Sequence, residues 1–353
     1  MIDGMVIVDA VVHPWDMSPA NQNPAAQAQI DAVYASHKLS FDDAHAHYRL
    51  QPDEFFLDQS FDTIGRAEFV ESPVDFAVLH ALPDLGFGLN HITRPDKCAA
   101  FRDAWPDRVK FYGTVGTPVL ASAIEEIRRQ IDEYGIDGVK LYPAFFYDGI
   151  GQGWRMDGED WATPFFEYCQ SAGIRRIAVH KALWLEPAPK EAFDIDDLAS
   201  PLDRFPDIQF EMVHGGTAFL DQSIELMQRH PNLHMTMETS FSYILSRPRV
   251  FAKVLGRMIA GVGSERLLFA SGNNLAHPAP LIEAFRDYQF PEEYQEEFAI
   301  PPLTAQDRAN ILGLNGMKLY GFDATAQLLR IAQDGFARER AAGIPQPWSN
   351  LRG

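Results

Sequence analysis

The chain has 353 residues, 46% hydrophobic and 12% aromatic, enough to bury a sizeable core in one large α/β domain or two ordinary ones. Its 49 Asp and Glu against 30 Lys and Arg leave a formal charge of -19, which repels nucleic acid and anionic membrane surfaces. Two cysteines, Cys98 and Cys169, are too few for a disulfide framework, and no apolar run approaches the ~20 residues that span a bilayer.

Short apolar, β-branched runs recur along the chain, each followed by a loop and an amphipathic stretch. In order they are VIVDAVV (6–12), FAVLHAL (76–82), VKFYGTV (109–115), GVKLYPA (138–144), RRIAVHK (175–181), IQFEMVH (208–214), LHMTMET (233–239) and RLLFASG (266–272). Several are apolar on both faces, as strands of a parallel sheet covered by helices are. In ASAIEEIRRQIDEYG (121–135), Ile124, Ile127 and Ile131 form one stripe and Gly135 supplies a stop. Leu220, Ile224 and Met227 form a similar stripe ahead of Pro231, and DRANILGLNGMKLYGF (307–322) reads as a closing helix. Eight such units predict an α/β chain with a single (β/α)₈ TIM barrel over residues 1–353. A doubly wound sheet is disfavoured because no glycine fingerprint follows the first run.

Residues 14–73 interrupt the alternation with far more chain than the 2–6 residues of a usual βα connection. They predict an insertion over the C-terminal mouth of the barrel, its second half helical and aromatic. Phe55, Phe56 and Phe61, with Trp154 and Trp184 from later loops, are the expected apolar wall for a substrate. Residues 183–203 form another long loop on that face. The insertion also contains DDAHAH (42–47), but no apolar run precedes it. Two ligands at period two need a strand to aim them, so His45 and His47 are set aside as metal ligands.

In such a barrel, chemistry gathers at the C-terminal ends of the strands. The polar residues closing the runs are His13, His80, Lys140, His180, His214, Glu238 and the trio Ser271, Gly272, Asn273. Imidazoles converging from separate strands on a carboxylate are what a divalent transition metal needs to replace its water shell. His80 also suits a core histidine bonded to a backbone carbonyl. No G-x-S-x-G elbow or P-loop string competes.

The order of these ends resembles the amidohydrolase-related barrels that include aminocarboxymuconate-semialdehyde decarboxylase and the resorcylate-type decarboxylases. The matching stretches are VDAVVHP, GVKLYP, IAVHK, VHGG, HPNLHMTMETS, ERLLFASGNN and RANILGLNGMKLYGF. Two positions depart from that family. Val11 stands where an acid or histidine precedes His13 by two residues, and Ala270-Ser271-Gly272 replaces the Gly-Ser/Thr-Asp that ends the eighth strand. Losing that aspartate removes the base that activates water.

The expected ligands are therefore His13, His180, His214 and Glu238, with His80 a further candidate and Lys140 and Asn273 as catalytic neighbours. The remodelled ends resemble in kind the superfamily's non-haem diiron monooxygenases. That resemblance implies one or two iron ions and a small hydrophobic organic acid as substrate. The alternative is a hydrolase or decarboxylase of the same family, with zinc as the alternative metal. No basic segment followed by a long apolar run opens the chain, so a cytoplasmic address is expected, with a homo-oligomer and a small-molecule substrate rather than nucleic acid or membrane.

Overall fold

The apolar runs pair side by side, because strands buried on both faces satisfy their backbone groups only in a neighbour's ladder. A computed structural model describes residues 2–147 and 150–352. Its strands are β1 (Val8–Val12), β2 (Phe76–His80), β3 (Val109–Thr114), β4 (Gly138–Leu141), β5 (Ala144–Tyr147), β6 (Ile150–Gly153), β7 (Arg176–His180), β8 (Gln209–Val213), β9 (Leu233–Thr236) and β10 (Leu267–Leu268). Eight form one parallel sheet in the order β1-β2-β3-β4-β7-β8-β9-β10. Backbone bonds close it, from Ala10 N–H to the Phe269 carbonyl (3.0 Å) and from Gly272 N–H to the Val11 carbonyl (3.1 Å). With helices between the strands, this is the (β/α)₈ barrel expected from the sequence. The run at 138–144 is two strands, not one. It breaks at Tyr142-Pro143, and β5 leaves the barrel to pair antiparallel with β6.

Two apolar layers line the sheet. Ile7, Leu79, Phe111, Val139, Ile177, Phe210 and Met235 pack outward with the helices. Val8, Val78, Ala178 and Leu268 pack in a second cluster with Met317, Leu319 and Tyr320 of the closing helix. Within it the Glu211 carboxylate accepts bonds from the Tyr112 (2.6 Å) and Tyr320 (2.7 Å) hydroxyls, which ties that helix to the barrel. The helix Leu120–Tyr134 ends, as its sequence predicts, at Gly135 in the left-handed conformation (φ 60°).

The connecting loops build a third cluster from Trp15, Met17, Ile30, Phe55, Leu82, Phe87, Tyr142, Phe193 and Trp348. The C-terminal tail fastens to it. The Trp348 and Ser349 N–H groups donate to the Glu71 carboxylate, and the Trp348 indole donates to the Tyr48 carbonyl (2.8 Å).

Candidate active site

The ends of β7, β8, β9 and β10 lead into a run of left-handed residues: Ala182 (φ 62°), His214 (φ 69°), Thr239 (φ 62°), Gly272 (φ 70°) and Asn273 (φ 45°). Such conformations cost of order 1 kcal/mol each for a residue with a side chain, and they cluster where a site overrides local preference. Here they turn His214, Glu238 and their neighbours into the mouth of the barrel.

His13, His180, His214 and Glu238 meet there, all buried. The His13 Nδ1 lies 3.2 Å from the His80 carbonyl. A carbonyl only accepts, so Nδ1 carries the proton and Nε2 presents its lone pair, 3.8 Å from Glu238 Oε1. The His180 Nε2 likewise donates to the Leu183 carbonyl (2.8 Å), leaving Nδ1 as the inward lone pair. His214 places Nδ1 2.5 Å from Glu238 Oε2 and Nε2 2.9 Å from His180 Nδ1. Two neutral imidazoles so arranged would oppose lone pairs across that last contact. One positive charge resolves it, either a proton on His214 or a bound cation.

These donor types suit a divalent metal, although among the described residues no three of them are already arranged to hold one. Each histidine has its outer nitrogen tied to an acceptor, which fixes the tautomer as in metal sites generally. Burial holds the His13 imidazole down at about 4, Glu238 opposing, and holds His180 well below its usual value, so both are neutral donors at pH 7. Burial pushes the Glu238 carboxyl up, but His214, His13 and Lys140 outweigh it and hold it at about 2. Among the described residues the donors are not arranged as a ready-made cage, because His214 and Glu238 are bonded to each other. The residues that would hold the ion are His13 Nε2, His180 Nδ1 and Glu238 Oε1.

Glu238 rests against Gly272, where a β-carbon would meet Glu238 Oε1 at 2.7 Å. The carboxylate therefore occupies space that any side chain at 272 would claim.

A cavity of about 390 Å³ opens over this floor. Its floor and sides include His13, His180, His214, Glu238, Trp15, Tyr142 and Trp184, and its apolar wall includes Leu82, Leu85, Phe87, Ile92 and Leu183. From the insertion, the helix Gln27–Leu39 lines it with Ala28, Ala32, Val33 and Ser36.

Several expected site residues lie elsewhere. Lys140 is buried outside the cavity lining, its Nζ 5.1 Å from the ring centre of Tyr142, and burial lowers its ammonium to about 8 despite Glu238 and Glu211. His80 stacks on Tyr112 (4.8 Å) and stands edge-on to His13 (6.0 Å), and neither ring nitrogen has a hydrogen bond of normal geometry. It is positioned to support His13 rather than to line the cavity. Asn273 turns its amide onto the buried Glu68 carboxylate, away from the three histidines. Phe55 packs on His37 (5.2 Å) and Trp15 (6.1 Å) in the loop core, with Phe56 beside it. Trp154 packs on Trp161 (4.8 Å), and Phe61 on Phe101 (5.4 Å). Of the five aromatic wall residues expected, Trp184 alone lines the cavity. His45 turns to Asp42 (2.6 Å) in an irregular loop. Sequence reasoning missed Trp15, Tyr142, Thr239 and Arg247, although Thr239 directly follows Glu238.

Among solved structures, an uncharacterised TIM-barrel protein from Bordetella bronchiseptica is 18% identical and aligns over 90% of this chain and 99% of its own with a TM-score of 0.62. A 5-carboxyvanillate decarboxylase from Novosphingobium aromaticivorans, complexed with manganese and a nitrobenzoic acid, is 14% identical (90% and 96% covered, TM-score 0.54). A dihydroxybenzoic acid decarboxylase from a Polaromonas species, with bound manganese and 2-nitroresorcinol, is 13% identical (93% and 99% covered, TM-score 0.54). At these identities the likeness establishes the fold. No curated protein sequence matches. The amidohydrolase family model matches residues 8–322, nearly the whole barrel, and this chain belongs to the amidohydrolase family.

Proposed function

We propose that this protein is a metal-dependent decarboxylase acting, without dioxygen, on a small and largely apolar carboxylic acid. The observation that carries this reading is the meeting of His13, His180, His214 and Glu238 at the floor of an apolar cavity. A divalent ion held by His13, His180 and Glu238 would act as a Lewis acid on a substrate oxygen, and manganese is the ion that both decarboxylase neighbours contain. The apolar wall excludes water from the substrate carboxylate, which favours charge dispersal as carbon dioxide leaves. His214, which lines the cavity with its Nδ1 2.5 Å from Glu238 Oε2, is our choice to protonate the carbon left behind.

Hydrolysis fits less well. The carboxylates lining the cavity are Glu238, bonded to His214, and the exposed Glu186, so a buried base free to activate water is missing among the described residues. The iron and dioxygen chemistry expected from the lost aspartate gains no support from the family match or the neighbours.

The test is metal analysis of the purified protein, paired with carbon dioxide release from a panel of hydroxybenzoates under argon and under air. The expected result is a bound divalent metal and equal release in both atmospheres. Turnover that consumes oxygen and stops under argon would overturn the proposal in favour of an oxygenase.

A further inference from the structure

Arg247 is the one Lys or Arg side chain among the residues lining the cavity. Among the described residues it is also the one arginine whose side chain makes no hydrogen bond or salt bridge; its guanidinium stands over the Tyr243 ring instead, 5.2 Å from the centroid. Other exposed arginines bond acids, as Arg249 does with Glu297 and Arg257 with Asp221 (2.9 Å), or backbone carbonyls, as Arg175, Arg229 and Arg338 do. In a chain with 49 acidic residues, an arginine that lines the cavity without an acid keeps its whole donor fork unengaged among the described residues. It also directly precedes the fifteen-residue helix Pro248–Val262, whose N-terminal N–H groups add positive potential.

We propose that Arg247 binds a second, non-reacting carboxylate of the substrate, so that the natural substrate is an apolar body carrying two anionic groups. The inference takes from the proposed function only that an anionic substrate enters this cavity. The carboxylate at Arg247 is not the one that leaves. Pairing the reacting carboxylate with a guanidinium would stabilise the ground state more than a transition state in which the charge departs from that group. The remaining wall, from Val33 and Leu85 to Leu183 and Trp184, suits the apolar body between the two ends.

Calorimetric titration tests this without any turnover, using benzoate and terephthalate and the longer pair biphenyl monocarboxylate and biphenyl dicarboxylate. In the unaltered protein at least one diacid is expected to bind about fivefold to tenfold more tightly than its monoacid, the range for a partly exposed charged pair. Arg247→Gln should abolish that advantage and leave monoacid binding unchanged, and Arg247→Lys should restore part of it. Tyr243→Leu, which removes the platform under the guanidinium, should weaken diacid binding alone. The proposal fails if no diacid is favoured in the unaltered protein, if Arg247→Gln keeps the diacid advantage, or if it weakens both acids equally. Because the readout is binding, a protein that released no carbon dioxide from any acid would still decide the question.

Discussion

Lys181 directly follows His180, and its ammonium is bonded to the Ala192 carbonyl (2.7 Å) and the Asp197 carboxylate (2.8 Å), with side chains 0% and 2% exposed. The pair pins the loop whose Leu183 carbonyl fixes His180 and whose Leu183, Trp184 and Leu185 line the cavity. Lys181→Met keeps the apolar stem but strands Asp197, whose only other bond among the described residues is from Met156 N–H (2.8 Å). Breaking a buried pair by removing one partner costs about 3–5 kcal/mol. Burial already lowers the Lys181 ammonium and raises the Asp197 carboxyl despite their attraction, so in the variant Asp197 would protonate more readily still. A carboxyl raised above its unfolded value contributes stability at low pH that is lost as pH rises through its folded value. The Lys181→Met penalty should therefore be larger at pH 8 than at pH 5. Guanidinium unfolding at the two pH values measures it, with Lys181→Met/Asp197→Leu as the control in which no charge is stranded. A penalty below about 1 kcal/mol, or a double variant no more stable than the single, would refute the reasoning.

Three further outcomes follow from other parts of the site. On the proposed ligand set, His180→Ala should lose bound metal on dialysis while keeping its circular dichroism, although the lost ring also packs on Tyr142 (4.6 Å) and Phe193 (5.6 Å); a variant retaining full metal would remove it from the ligand set. Gly272→Ala combines a left-handed position (φ 70°) with a β-carbon 2.7 Å from Glu238 Oε1, so a loss of about 2 kcal/mol or more in denaturant is expected, together with weaker metal retention. Burial raises the Asp9 carboxyl to about 7, the Ser271 bonds opposing, so the stability it contributes is present below pH 4 and lost as pH rises through 7; Asp9→Asn should flatten unfolding midpoints between pH 5 and pH 8.

All eight barrel strands were legible because a strand buried on both faces is a continuous apolar run, the strongest signal a single sequence offers. Where other forces decide, the pattern misleads. Only Leu267–Leu268 of the last run forms a ladder, since the residues beyond bond across to Ile311 and to β1. The histidines were legible from their place at strand ends, which a barrel converts directly into position. The substrate wall was not. Phe55 and Trp154 have the composition of pocket residues but are turned by their loops into aromatic clusters, while the helix Gln27–Leu39 lines the mouth with alanines and a serine that carry no signal. Arg247 escaped notice because nothing in its local sequence distinguishes an arginine with an acid partner from one without.

The departures from the family pattern acquire a common explanation at Gly272. Its missing side chain makes room for Glu238, which reaches across from the end of β9 to stand between His13 and His214. The carboxylate absent from the eighth strand thus has a counterpart in the same mouth, one strand away and bonded to an imidazole. That bond changes its chemistry. A carboxylate held at about 2 by His214, His13 and Lys140 is a strong charge and a weak base, suited to holding a cation or polarising His214 and unsuited to taking a proton from water at neutral pH. A carboxylate in this position keeps a metal-compatible charge without serving as a hydrolytic base, and this physical asymmetry is what supports the proposal of carbon dioxide loss over hydrolysis.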